Sequence, residues 1–241
     1  MPGASYKYPA LFFDIETGAL PLDLLTKTAP EFDILSVKMG NLKDKAKIKE
    51  KLIKAKEEFY HRHFEQAALN ALTGEVLAIG VMGVEQEACV ILHQADTTDE
   101  AAVLGDFWNF YNGYTPLIGF NIFKFDLPFL IQRSWTLGVQ VPRRVRKGRF
   151  YCHSFVDLLQ EWQMGDWHNY VSLDRLAQCL GVGKKTSLGK DFQDLFVKDR
   201  SLALDYLRND LRLTRAIGIK MGIPAPIDTG RKPSSGDSSA A

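Results

Sequence analysis

Asp14 and Glu16, in the run Phe12-Phe13-Asp14-Ile15-Glu16-Thr17-Gly18, are the two residues whose types and spacing most directly suggest chemistry. Side chains alternate along a β-strand, so Phe12, Asp14 and Glu16 share one face and Leu11, Phe13 and Ile15 the other. Two acids on one face of an otherwise apolar strand cannot be buried unpaired without a large cost. Hard divalent cations such as Mg²⁺ or Mn²⁺, which take oxygen ligands, would remove that cost. The plainer alternative is a strand end that emerges into water with both acids solvated.

Two further segments carry acids in suggestive settings. In Ile118-Gly119-Phe120-Asn121-Ile122-Phe123-Lys124-Phe125-Asp126-Leu127-Pro128 a short apolar strand passes into a helix that begins near Asp126. Asp126 there reads first as a helix cap, with Pro128 in the first turn, although one carboxylate can also serve as a ligand. In Tyr206-Leu207-Arg208-Asn209-Asp210 the tyrosine and the aspartate are one helical turn apart and stack on one face, which Leu213 and Ile217 continue toward a core. Taken alone, Asp210 could equally pair with Arg208, Arg212 or Thr214.

The elements that must position these residues follow from periodicity and punctuation. Residues 11–15 read as a buried strand ending at Thr17-Gly18, and residues 19–41, with Pro21, Pro30 and Gly40, as an irregular excursion. A helical pattern then runs from about 42 to 72, its first half studded with lysines, and Thr73-Gly74 ends it. This reads as a solvated surface helix, with a clamp on substrate or partner as the alternative. VLAIGVMGV and ACVILH predict a hairpin, residues 99–111 an amphipathic helix, and PLIGF a short buried strand. Helices are expected over about 126–137, 153–162, 172–180 and 201–221. Strands interleaved with helices in this order predict an α/β fold, a mixed sheet with helices on both faces.

Length and composition set the outer bounds. The chain has 241 residues, 46% hydrophobic and 24% charged, as in an ordinary globular protein, and its net charge of +1 shows no general excess of positive charge for phosphates. Three scattered cysteines without a CxxC pair fit a reducing compartment. MPGASYKYPA lacks the pattern of a signal peptide, and no apolar run approaches the ~20 residues of a membrane span, so a cytoplasmic location and no membrane partner are expected. Residues 1–228 read as one domain and 229–241 as a polar, disordered tail.

Together, the FDIETG, GFNIFKFD and YLRND segments resemble the proofreading-type 3′→5′ exonucleases of the ribonuclease H-like superfamily, in the four-acid subfamily whose last motif carries tyrosine. Within it the chain is most similar to predicted exonucleases related to the exonuclease domain of family B DNA polymerases. VSLDRLAQCLGVGKK and SLGKDFQDLF also look like that family's connecting helices. A sister subfamily would place histidine where this sequence has Asp205.

The resemblance implies that Asp14, Glu16, Asp126 and Asp210 hold two ions, Mg²⁺ or Mn²⁺, with Asp14 bridging them, and that Tyr206 orients the attacking water. It implies trimming of single-stranded DNA or frayed 3′ ends to nucleoside 5′-monophosphates, with Glu16 and the Thr17 backbone near the terminal 3′-hydroxyl. Asn121 and Phe125 would line the cleft, and a replication or repair protein could serve as partner. An exoribonuclease of ribonuclease D type is the alternative substrate reading, and a non-catalytic nucleic-acid-binding module the alternative of another class.

Several local signals complete the reading. Arg143, Arg144, Arg146, Lys147 and Arg149 put five cations into seven positions, and we expect phosphate contacts there. Gly181-Val182-Gly183-Lys184-Lys185-Thr186-Ser187 fails the phosphate-loop pattern and reads as a glycine turn closing a helix. The five histidines show no zinc spacing with cysteine. Trp162 and Trp167 flank Met164-Gly165-Asp166 and are expected to pack in the core, with base stacking as the alternative.

Overall fold

A computed structural model describes residues 10–84, 88–95, 99–111, 116–142, 155–186 and 192–223. The basic loop 143–149 and the tail 229–241 lie outside the described residues.

The apolar strand with its two acids is β1 (Leu11–Ala19), followed by α1 (Leu22–Thr28) and α2 (Lys45–Glu65). The hairpin β2 (Gly74–Gly83) and β3 (Cys89–His93) comes next, then α3 (Glu100–Phe110), β4 (Leu117–Gly119) and α4 (Asp126–Thr136). The chain continues through β5 (Phe155–Asp157), α5 (Leu158–Gln163), α6 (Leu173–Cys179), α7 (Phe192–Lys198) and α8 (Arg200–Lys220). The sheet runs β3-β2-β1-β4-β5; β2 is antiparallel to both of its neighbours, β3 and β1, whereas β4 and β5 run parallel to β1. The acid-bearing strand is therefore central.

Alternation along β1 and β2 builds a core on each face. Phe13, Ile15, Ile79 and Val81 pack with Val103, Leu104 and Phe107 of α3 and Leu130 of α4. Phe12, Leu77 and Met82 pack with Leu207, Leu211 and Ile217 of α8 and with residues of α5, α6 and α7. Each such large side chain, taken fully out of water, contributes about 1.5–3 kcal/mol. The expected mixed sheet with helices on both faces is the fold observed.

Two glycines set how closely α8 approaches the sheet. A Cβ at Gly80 would lie 2.3 Å from Leu211 Cδ1, and one at Gly218 would lie 2.7 Å from the Phe12 ring. Gly80 is the β2 residue paired with Asp14, so the missing side chain brings α8 down beside the acids. On the other face Arg133 of α4 donates to Glu100 of α3 through Nε (2.8 Å) and Nη2 (2.5 Å) and to the Ala71 carbonyl through Nη1 (3.0 Å). Glu100 also accepts from the Val76 amide at 2.8 Å. Each guanidinium nitrogen and each carboxylate oxygen of this buried pair has a hydrogen-bond partner, the condition under which a buried ion pair is tolerable.

The structure departs from the sequence reading in several places. The excursion after β1 contains α1 and a 3-10 turn at Ile34–Ser36. The helix expected over 42–72 stops at Glu65 and gives way to a 3-10 turn, Ala67–Leu69. α2 buries none of its residues, and it is tied to the excursion by Phe59 against Phe32 and by Lys51 Nζ on the Lys38 carbonyl at 2.8 Å. Where a helix was expected over 153–162, β5 precedes α5, because pairing with β4 draws Phe155–Asp157 into the sheet. Among the described residues no helix is long and apolar enough to cross a membrane.

Candidate active site

β1, the start of α4 and the middle of α8 meet at one end of the sheet around a hollow of about 340 Å³. Asp14, Glu16, Asp126, Tyr206 and Asp210 all line it, together with Asn121, Phe125, Lys185 and Tyr170. Among the described residues, one oxygen each from Asp14, Glu16 and Asp210 lies within 4.8 Å of the others.

Each acid is delivered by a different local device. Asp14 and Glu16 sit two apart on β1, and the register with β2 shifts between Glu16 and Thr17, which ends the regular ladder just past the second acid. Asp126 occupies the first turn of α4, but Phe125, not Asp126, is the residue that caps it. The Asp126 carboxylate instead reaches across the sheet, where Oδ1 accepts from the Ile15 amide at 3.3 Å. This corrects the reading of Asp126 as the cap. Tyr206 and Asp210, one turn apart on α8, are both buried.

A further acid, Asp157 at the end of β5, fixes the turn before α4. It accepts from the amides of Asn121 (2.8 Å), Phe123 (3.1 Å) and Leu159 (3.0 Å). Asn121 adopts φ 63°, a left-handed conformation that asparagine tolerates better than most residues. Thr17 lies beyond the register shift with its hydroxyl on the Ala68 carbonyl at 2.7 Å, so the structure commits that side chain to the fold.

Lys185, which no sequence motif singles out, also enters the hollow. Its Nζ lies 2.5 Å from Asp210 Oδ2 and 5.4 Å from the Tyr206 ring centroid. Asp174 of α6 anchors it by accepting from the Lys185 amide at 2.7 Å. The glycine turn is formed as expected, with Gly181 at φ 68° after α6, and the chain after it folds back into the hollow. Asp210 thus pairs with Lys185, while Arg208 pairs with Asp205.

Burial and mutual repulsion dominate the electrostatics. Desolvation first, then the charges of Asp126, Glu16 and Asp210, push Asp14 well above the ordinary carboxylate range. Desolvation and then Asp210 raise Glu16 to about 8. Asp126 rises to about 7 through burial, held back by the amides it accepts from. Burial also raises Asp210, against the pull of Lys185. Desolvation would lower Lys185, but Asp210 outweighs it and the ammonium is held charged. Burial lifts Tyr206 to about 12 and keeps its hydroxyl protonated at neutral pH.

The donor set suits a hard divalent cation. Every carboxyl group offers only oxygen, and Asp210 Oδ1 is buried with no hydrogen-bond partner among the described residues. The clustered charge is what a cation would neutralise.

A mixed five-stranded sheet with helices on both faces thus brings carboxylates together at one end of its central strand. Residues 68–214 match the family described as "Predicted 3'-5' exonuclease related to the exonuclease domain of PolB". The chain belongs to that family. The match begins beyond β1, so Asp14 and Glu16 join the site through the fold and not through the matched segment. Among solved structures, the family B DNA polymerase from the hyperthermophilic archaeon Pyrobaculum calidifontis is similar in fold, with a TM-score of 0.54 at 19% identity over 88% of this chain. The chain spans 24% of that polymerase's length. No curated protein matches it.

Proposed function

We propose that the protein is a 3′→5′ exonuclease that hydrolyses single-stranded DNA, including frayed 3′ ends, to nucleoside 5′-monophosphates. The observation that carries this reading is the meeting of Asp14, Glu16 and Asp210 oxygens within 4.8 Å of one another, in a hollow that Asp126 and Tyr206 also line. Asp14, Glu16, Asp126 and Asp210 would hold two ions, Mg²⁺ or Mn²⁺. When bound, the ions supply activation of water and neutralisation of the charge that builds on the phosphoryl oxygens and the leaving 3′ oxygen.

The chain's own groups do the rest. Water adds to phosphorus as the P–O3′ bond breaks; the 3′ oxygen takes a proton, and the released nucleotide keeps its 5′ phosphate. Tyr206, raised to about 12, is a hydrogen-bond donor that orients the water and not the base that deprotonates it. Lys185 opposes protonation of Asp210 and confronts the phosphoryl group with a fixed positive charge. Asn121 and Phe125 wall the cleft, and Glu16 with the Thr17 backbone would meet the terminal 3′-hydroxyl. The cations of 143–149 would contact phosphates upstream.

The test is digestion of a 5′-labelled single strand by purified protein, with and without a chelator. A ladder descending one nucleotide at a time, only when divalent metal is free, is the expected result. The same ladder from Asp14→Ala or Asp210→Ala protein would remove the reading.

A further inference from the structure

The loop joining α5 to α6 presents aromatic rings to solvent beside the hollow. By residue type both Trp162 and Trp167 belong in the core. Trp162 packs there, but Trp167 is 75% exposed and Tyr170 64% exposed. Large aromatic surface left open to water is costly, and its position gives it a use. Tyr170 lines the same hollow as the carboxylates. Trp167 is three residues earlier, so the two backbones stand at most about 11 Å apart, the reach of a few stacked bases.

The loop is held in this shape. Met164 (φ 50°) and Gly165 (φ 91°) turn the chain outward at the end of α5. Asp166 then accepts from the His168 amide through its side chain (3.1 Å) and from the Asn169 amide through its carbonyl (3.0 Å). Gln163 Nε2 reaches the Trp167 carbonyl at 3.3 Å, and the Tyr170 amide donates to the His168 carbonyl at 2.9 Å. The His168 ring backs the indole, with centroids 3.6 Å apart and planes inclined by 33°. Residues 164–170 contain no lysine or arginine, so this surface offers ring faces and not phosphate contacts.

We propose that Tyr170 and Trp167 form a stacking platform for the bases of a single strand just upstream of the nucleotide held among the carboxylates. The inference rests on the reading of the hollow as a nuclease site and adds how the strand is gripped. Every base has a π-face, so such a platform binds without regard to sequence. Trp167 and Tyr170 are positioning residues: they hold the strand and touch no reacting atom.

The test is equilibrium binding in EDTA, where the strand is not cut. The probes are a fluorescein-labelled deoxyadenosine 12-mer and the same 12-mer with abasic residues at the second to fourth positions from its 3′ end. Wild-type protein should bind the abasic strand about tenfold or more weakly than the intact one, the worth of a lost base stack. Trp167→Ala and Tyr170→Ala should each lose about tenfold on the intact strand yet match wild type on the abasic one, while Tyr170→Phe retains wild-type binding. Equal losses on both strands would show a merely structural effect and overturn the platform, as would variants that bind the intact strand like wild type. If wild type trims single strands but the variants bind normally, the platform alone falls. If wild type neither binds nor trims, the nuclease reading falls with it.

Discussion

Replacing Glu16 with glutamine separates what the acid does to the metal-free fold from what it does for a bound cation. Burial and the nearby Asp210 raise the Glu16 carboxyl from 4.5 to about 8. Between those values the folded protein keeps a proton that the unfolded chain has released, so metal-free stability falls as pH rises through that window. The interval of about 3.5 pH units corresponds to an upper bound of about 5 kcal/mol. The hollow admits water and Lys185 screens the cluster, so about 2 kcal/mol is the working expectation. For a chain of this length that is about 4–8 °C in melting temperature. Thermal melts in EDTA at pH 5 and pH 8.5 are the assay. The Glu16→Gln protein should melt close to wild type at pH 5 and about 4–8 °C above it at pH 8.5. Saturating Mn²⁺ at pH 8.5 should reverse the order, because only wild type has the full ligand set. A variant that melts below wild type in EDTA at pH 8.5 would refute the picture of an over-charged cluster awaiting a cation.

Tyr206→Phe should lower single-strand trimming about 10²-fold while leaving the Mn²⁺-induced rise in melting temperature unchanged, as read by paired kinetic and thermal assays. Lys185→Met removes the group that opposes protonation of Asp210, so the acidic limb of the pH–rate profile should move to higher pH. Gly80→Val puts a Cβ 2.3 Å from Leu211 Cδ1 and should cost about 1–3 kcal/mol by denaturant titration, with activity lost alongside because α8 carries Tyr206 and Asp210. Glu100→Gln leaves Arg133 buried without its counter-charge and should cost about 3–5 kcal/mol on the same measure, although neither residue approaches the hollow.

What the sequence discloses depends on the range of the interaction. β1 is legible because apolar residues alternate faces within one short run, and the Tyr206–Asp210 pair because one helical turn is a local spacing. The hairpin is legible for the same reason. Lys185 is not, because its place is set by Asp174 eleven residues earlier and by a turn through Gly183 at φ 140°, where Gly183 abuts Leu213 of α8. Local spacing offers Asp210 the partners Arg208 and Arg212, and neither is the one it takes. β5 is three residues long and becomes a strand only through its pairing with β4. Asp157 falls inside the helix expected over 153–162, whereas it caps α5 and its bonds to the Asn121 and Phe123 amides are longer-range. Trp167 is misplaced by residue type alone, since tryptophan is usually well covered and the outward turn at Met164-Gly165 carries no hydropathy signal.

The geometry of the acids and the stability of the fold are enforced by the same residues. A slip of β1 by one position against β2 would turn Asp14 and Glu16 toward α3 and α4 and carry Phe13 and Ile15 to the α8 side. Phe13 is fully buried against Phe107, their ring centroids 6.0 Å apart, and Ile15 is 5% exposed. Exchanging them for two carboxyl groups would bury charge in that apolar layer. The α3–α4 core therefore holds Asp14 and Glu16 in register from the opposite face of the sheet. The close approach of α8 at Gly80 supplies the matching constraint, because Asp210 reaches Asp14 only while Leu211 stays seated over that glycine. Trp167 and Tyr170 lie on a connection outside these constraints. Changes there can alter how a strand is held while the carboxylates stay where the sheet has put them.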